Sequence, residues 1–121
     1  MPGLKIIVLT ADAERFRGAL TIAAAHAALG EPTAVLLQHE AAALLRQPIA
    51  VPGDAMHAVH GLPPLATLLD GALSLGVEVI ACQSGLSLCG LAAEDLDQRI
   101  SAGGPVSFLQ AMSLDDRLTL V

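Results

Sequence analysis

Apolar and polar positions divide the chain into short segments of two kinds. Residues 4–10 (LKIIVLT) form a nearly continuous apolar run rich in β-branched side chains, the pattern of a strand covered on both faces. From residue 14 to 29 the period changes. Phe16, Leu20, Ala23 and Ala27 fall at helical spacing, Asp12 or Thr10 is placed to cap the start, and Gly30 is a good stop. Residues 33–38 (TAVLLQ) predict a second buried strand and 39–46 a short helix ended by Pro48. Further on, 65–75 predict a helix closed by Gly76, and 77–82 a third strand. A helix starting within 84–88, another short one over 93–97, a brief strand at 99–101, a helix over 106–112 and a last strand at 117–121 complete the order.

Residues 47–64 are the one stretch of mixed composition, with Pro48, Pro52, Gly53, Gly61, Pro63 and Pro64. They read as a long loop, with or without a short helical turn in it. A loop of that length in a compact domain is more often a lid, a subunit contact or a mobile segment than an idle connection.

Strands alternate with helices and no hairpin signal intervenes. That implies an α/β fold of one domain, residues 1–121, with a parallel sheet, right-handed crossovers and helices on both faces. In such sheets function gathers outside the carboxyl ends of the strands. Residues 10–13, 38–40 and 82–85 all fall at that edge.

Composition narrows the partners. Hydrophobic residues make up 54% and charged ones 15%, and the aromatics are two Phe with no Tyr or Trp. Leu, Ile, Val and Ala must therefore fill the core, and so little charge leaves apolar surface that favours an oligomer. A net charge of −6, with only six Lys and Arg in no cluster, argues against nucleic acid. Without aromatics there is no stacking platform for single strands either. No apolar run approaches the roughly 18–20 residues of a membrane span. The opening MPGLKIIVLT lacks the flank and cleavage site of a signal peptide, so a cytoplasmic location is expected, with two free thiols rather than a bridge.

The chemistry centres on GVEVIACQSGLSLCGL, residues 76–91. If a helix starts after Cys82, its unpaired N–H groups and positive end face the sulfur and favour the thiolate, which is the nucleophile. Gln83, Ser84 and Gly85 follow directly, and Ser84 or Ser87 offers a hydroxyl. The competing reading makes Cys82 a small buried hydrophobe at a strand end. Cys89 would lie about 10.5 Å along an unbroken helix from Cys82, beyond the roughly 7 Å that a disulfide spans. Core filling is its simpler role, with a second-thiol role requiring a broken helix. The spacing fits no metal or Cys-x-x-Cys motif.

His39 ends the second strand on the active edge, as a thiolate partner or proton donor, or simply as a cap or solvent-facing residue. His57 and His60 have no second ligand pair at zinc spacing, so a surface or packing role is the simpler reading, and no metal or cofactor is expected. His26 is assigned nothing. Neither GxGxxG nor a P-loop follows the first strand, and no GxSxG elbow occurs. Glu94, Asp95 and Asp97 read as a solvated helix face.

With these residues in view the chain resembles the DsrE/DsrF-like family, small sulfur-relay subunits and their uncharacterised relatives. The resemblance runs through LKIIVLT with TADAERFRGALTIAAAHAALG, TAVLLQHEAAALL, LLDGALSLGVEVIACQSGLSLCGL, and the tail AAEDLDQRI…FLQAMSLDDRLTLV. It implies a three-layer α/β/α sandwich with a mainly parallel sheet of about five strands. It also implies assembly as a homo-oligomer, trimer or hexamer, or with heteromeric sulfur-relay partners. In relay members a cysteine at the end of this strand accepts sulfur as a persulfide from a donor protein and passes it to an acceptor; that role maps onto Cys82 only. Three readings follow. One is a sulfur carrier or sulfurtransferase-like protein, and one a non-enzymatic oligomeric module binding a small ligand or protein with Cys82 inert. The third is a redox dithiol of Cys82 and Cys89.

Overall fold

The computed structural model describes residues 2–121. Five strands, β1 (Leu4–Val8), β2 (Thr33–Leu37), β3 (Glu78–Cys82), β4 (Ser101–Gly103) and β5 (Arg117–Leu120), form one all-parallel sheet in the order β4-β3-β2-β1-β5. The helices are α1 (Ala13–Ala28), α2 (Gly53–Val59), α3 (Leu65–Ser74), α4 (Gln83–Leu88) and α5 (Pro105–Gln110), with 3-10 turns at His39–Leu45 and Ala93–Asp95. The expected α/β sandwich with five parallel strands is the observed architecture.

Strand order dictates the layers. The chain steps from β1 to β2 to β3 to β4 in one direction, so right-handed crossovers put their helices on one face of the sheet. The step from β4 back to β5 runs the other way and carries α5 to the opposite face. The core divides accordingly. Ile6, Val8, Val35, Leu37, Val79 and Ala81 pack with Phe16 and Leu20 of α1 and Leu65, Leu69 and Leu73 of α3. On the other face Ile7, Ala34, Leu36 and Cys82 pack with Phe108 of α5, and Ile80 joins them. One six-residue helix must serve a face five strands wide, so the second layer is thin.

Local chemistry sets the element ends. Asp12, not Thr10, caps α1: its Oδ1 accepts the N–H groups of Glu14 at 2.9 Å and Arg15 at 3.1 Å. Gly30 and Gly76 close α1 and α3 at φ 87° and 89°, a conformation glycine adopts without strain.

Two expectations need extending. Within residues 47–64 the helical turn is present and longer than a single turn, because α2 occupies their middle, and the segment is held rather than loose. Arg17 of α1, only 6% exposed, donates from Nη2 to Asp54 Oδ1 and from Nη1 to the Pro63 carbonyl, both at 2.7 Å. Asp54 in turn accepts the Leu65 and Val51 N–H groups, and His57 Nε2 meets Glu14 Oε1 at 2.7 Å. The segment is thereby fastened to α1, which lies across the sheet from the Cys82 side chain.

The acidic run is likewise more than a solvated face. Asp95 Oδ2 accepts the Ala92 N–H at 2.8 Å, and Asp97 holds the Arg99 guanidinium at 3.0 and 2.8 Å. With Arg99 tied back in this way, the fourth strand begins at Ser101 rather than at 99.

Candidate functional site

Cys82 ends β3 and is the N-terminal cap residue of α4. An apolar strand runs EVIAC, and α4 starts at once on QSGLSL, so the chain turns immediately after the sulfur. At the same edge β2 ends at Leu37, and Gln38 and His39 lead into the 3-10 turn. His39 takes φ 47°, the left-handed region that non-glycine residues seldom occupy. Of His39 it is the backbone, and not the imidazole, that bears on the sulfur.

The pKa of Cys82 reflects opposed influences. Burial is the largest single one and favours the neutral thiol. Against it act the backbone N–H groups of His39, Gly85 and Ser84 and the Ser84 hydroxyl, which together hold the pKa below the ordinary 9.0. Donors converge from two separate segments, so the site exists only when β2 and β3 lie side by side. Gly85 makes that convergence fit. A Cβ there would run into the His39 carbonyl oxygen and sit 2.9 Å from the carbonyl carbon and 3.1 Å from Ala42 Cβ.

Cys82 itself is 2% exposed, packed among Ile7, Ala34, Leu36 and Phe108. The sulfur is therefore covered, where a relay role leads one to expect an open one. Ser84 and the His39 side chain, directly beside it in the chain or in its donor set, are exposed. An open cleft of about 610 Å³ lies along the same edge, lined by Leu9, Thr10, Ala11, Asp12, Arg15 and Glu40. Its Glu40 wall adjoins His39, and the cleft stops short of Cys82.

Among the other sequence candidates, Gln83 is the exposed first residue of α4 and has no share in the interactions at the sulfur. Cys89 caps the far end of α4, half-buried, with Sγ toward the Glu40 carbonyl at 3.9 Å; Arg46 Nη2 donates to the Cys89 carbonyl at 3.0 Å. Both thiols are free, and α4 is unbroken between them, which separates them by about 10.5 Å of helical rise. Among the described residues no group of three or more His, Cys, Asp or Glu is arranged to hold a metal ion.

Residue type marks Gln38 only as one of residues 38–40 at the functional edge, with no role of its own. The β2–β3 register pairs Leu37 with Ala81, so the next pair is Gln38 and Cys82. Both have extended backbones, and period-two alternation puts Gln38 on the face of Leu36, Ile80 and Cys82. Its signal was the lone amide closing the apolar run TAVLLQ.

No protein-family model matches the chain, and no curated protein matches it. The fold is shared with the YchN protein from E. coli, whose crystal structure superimposes with a TM-score of 0.76 at 17% sequence identity, covering 98% of this chain and 99% of that one. At that identity the likeness establishes the fold.

Proposed function

We propose that this chain is a sulfur carrier or sulfurtransferase-like protein that takes sulfur as a persulfide on Cys82 and hands it to an acceptor thiol. The observation that carries this reading is the placement of Cys82, at the carboxyl end of β3 and at the N-terminal cap of α4, beside the His39 turn. A cysteine in an apolar cluster ordinarily has a raised pKa, yet donors from His39, Ser84 and Gly85 hold this one down. A merely packed cysteine needs no such donors. They stabilise Cys82 both as attacking anion and as leaving group, and thiol–persulfide exchange uses both. The same donors would serve a persulfide donor on loading and an acceptor on release. The family resemblance carried by residues 76–91 adds to the reading, as does the shared α/β sandwich fold.

Assembly belongs to the same proposal, as a homo-oligomer, trimer or hexamer, or with heteromeric relay partners in the cytoplasm. Leu118, Leu120, Val106 and Leu109 stay exposed on β5 and α5, in keeping with such an assembly. No helix of the described residues is long and apolar enough to cross a membrane.

Persulfide loading tests the proposal. Incubation with a persulfide or polysulfide donor, followed by mass spectrometry of the intact protein, is expected to show one added sulfur that Cys82→Ser abolishes. Equal loading of the variant removes Cys82 as the carrier.

The 2% exposure of Cys82 favours a second reading, an oligomeric binding module of the same fold with an inert thiol. Titration with a small thiol reagent separates the two. Reaction of Cys82 only on unfolding selects the module; reaction in the native protein, faster than a free thiol below neutral pH, selects the carrier.

A further inference from the structure

Among the described residues, one buried side-chain oxygen or nitrogen has no hydrogen-bond partner: Gln38 Oε1. A buried acceptor left without a donor costs about 1–3 kcal/mol, so such atoms in native folds call for a reason. Extending the β2–β3 register one step beyond Leu37 and Ala81 sets Gln38 beside Cys82, and strand alternation sets both on the same face of the sheet. Resting on the persulfide reading above, we infer that Gln38 Oε1 accepts the S–H of the outer sulfur when Cys82 carries a persulfide.

The chemistry of transfer explains what such an acceptor does. An acceptor thiolate R–S⁻ attacks the outer sulfur of Cys82–S–SH. An S–S bond forms to R, the bond to Cys82 Sγ breaks, and its electron pair stays on Sγ as thiolate. The proton remains on the transferred sulfur, which leaves as R–S–SH, and no net oxidation occurs. The step requires the inner sulfur to depart as an anion and the outer sulfur to stay protonated and electrophilic. Around Cys82 the two demands fall to different groups. Donors from His39, Ser84 and Gly85 serve the inner sulfur. An acceptor with no donor of its own serves the outer one. The same N–H groups alone would stabilise either sulfur as an anion and would leave the persulfide poorly polarised.

Gln38→Met keeps the length of the side chain and removes the acceptor; Gln38→Glu keeps an acceptor and strengthens it. Each protein is loaded with inorganic polysulfide, and transfer to 2-mercaptoethanol is followed by mass spectrometry across pH. Transfer falls at high pH as the outer sulfur loses its proton. Gln38→Met is expected to load Cys82 less completely than the wild type, to transfer from the loaded fraction up to roughly tenfold more slowly, the worth of one hydrogen bond, and to fall off at lower pH. Gln38→Glu is expected to hold its alkaline limb at or above that of the wild type. A Gln38→Met profile matching the wild type in rate and position overturns the inference while leaving the carrier reading intact. If Gln38→Met does not fold, a Gln38→Glu limb below the wild type overturns it instead. A wild type that takes up no sulfur overturns both.

Discussion

Gly85 is where a single missing atom group shapes the site. Its bare Cα lets the His39 carbonyl approach α4, and that approach brings the His39 N–H to the sulfur. Gly85→Ala forces the two segments apart. It is expected to cost about 1–3 kcal/mol by overpacking, read from urea unfolding, and to raise the Cys82 pKa, read from the pH dependence of alkylation. The sign follows from linkage. Because the folded pKa lies below 9.0, the donors' contribution to stability is full above 9.0 and is lost as pH falls through the folded value. The variant should therefore lose least stability relative to the wild type at low pH. Asp97 is the parallel case among carboxylates. The Arg99 side chain, then the Arg99 N–H, pull its pKa down from 3.8 to about 2 against some burial. Its contribution is complete above 3.8 and disappears as pH falls through about 2. An NMR titration should find that low value, and Arg99→Ala should return it toward 3.8.

Among the elements, α2 depends most on specific contacts. None of its residues is buried, so apolar packing does little to hold it. What holds it is Asp54, which receives the Arg17 guanidinium and two backbone N–H groups. Leu65 and Val51 lower the Asp54 pKa together with Arg17, against the effect of burial. Protonation below its ordinary 3.8 therefore loosens the segment, whereas the Cys82 edge, across the sheet, has no part in this network. Arg17→Met should speed amide exchange in residues 47–64 by about tenfold, since a hydrogen bond to a charged group contributes about 1.5 kcal/mol at the low end. Exchange in β2 and β3 should stay near the wild-type rate. Uniform acceleration across the chain would show that α2 is not a separate unit.

For the whole molecule, the thin second layer matters most. α5 covers its face of the sheet through one buried anchor, Phe108, 3% exposed and clustered with Ile7, Leu36 and Cys82. Lys5 Nζ lies 5.4 Å from the Phe108 ring centroid and adds a cation–π contact there. Phe108→Ala is expected to destabilise the fold by about 3–5 kcal/mol, measured by urea unfolding. It should also quicken alkylation of Cys82, which shares the Phe108 cluster. Unchanged reactivity in a variant destabilised by that much would place the route to the sulfur elsewhere.

Much of this was legible in the chain itself, for a definite reason. Strands buried on both faces must be apolar throughout, and α1 must keep a helical period. LKIIVLT, TAVLLQ and VEVIAC therefore marked the central strands, and their spacing excluded hairpins. The strand-to-helix break at Cys82 was equally local. Other features depended on residues far apart in sequence. Arg17 finds Asp54 only after folding, so the extent and anchoring of α2 leave no trace in a stretch full of Pro and Gly. His39 reaches the sulfur through its backbone, and an N–H group leaves no trace in residue type. Gln38 stands beside Cys82 because two strands align in register, and the cover over the thiol comes from Phe108 on a crossover running the other way. Periodicity reports which side of a segment is buried; what lies against that side is settled by strand order and register, which are properties of the assembled sheet.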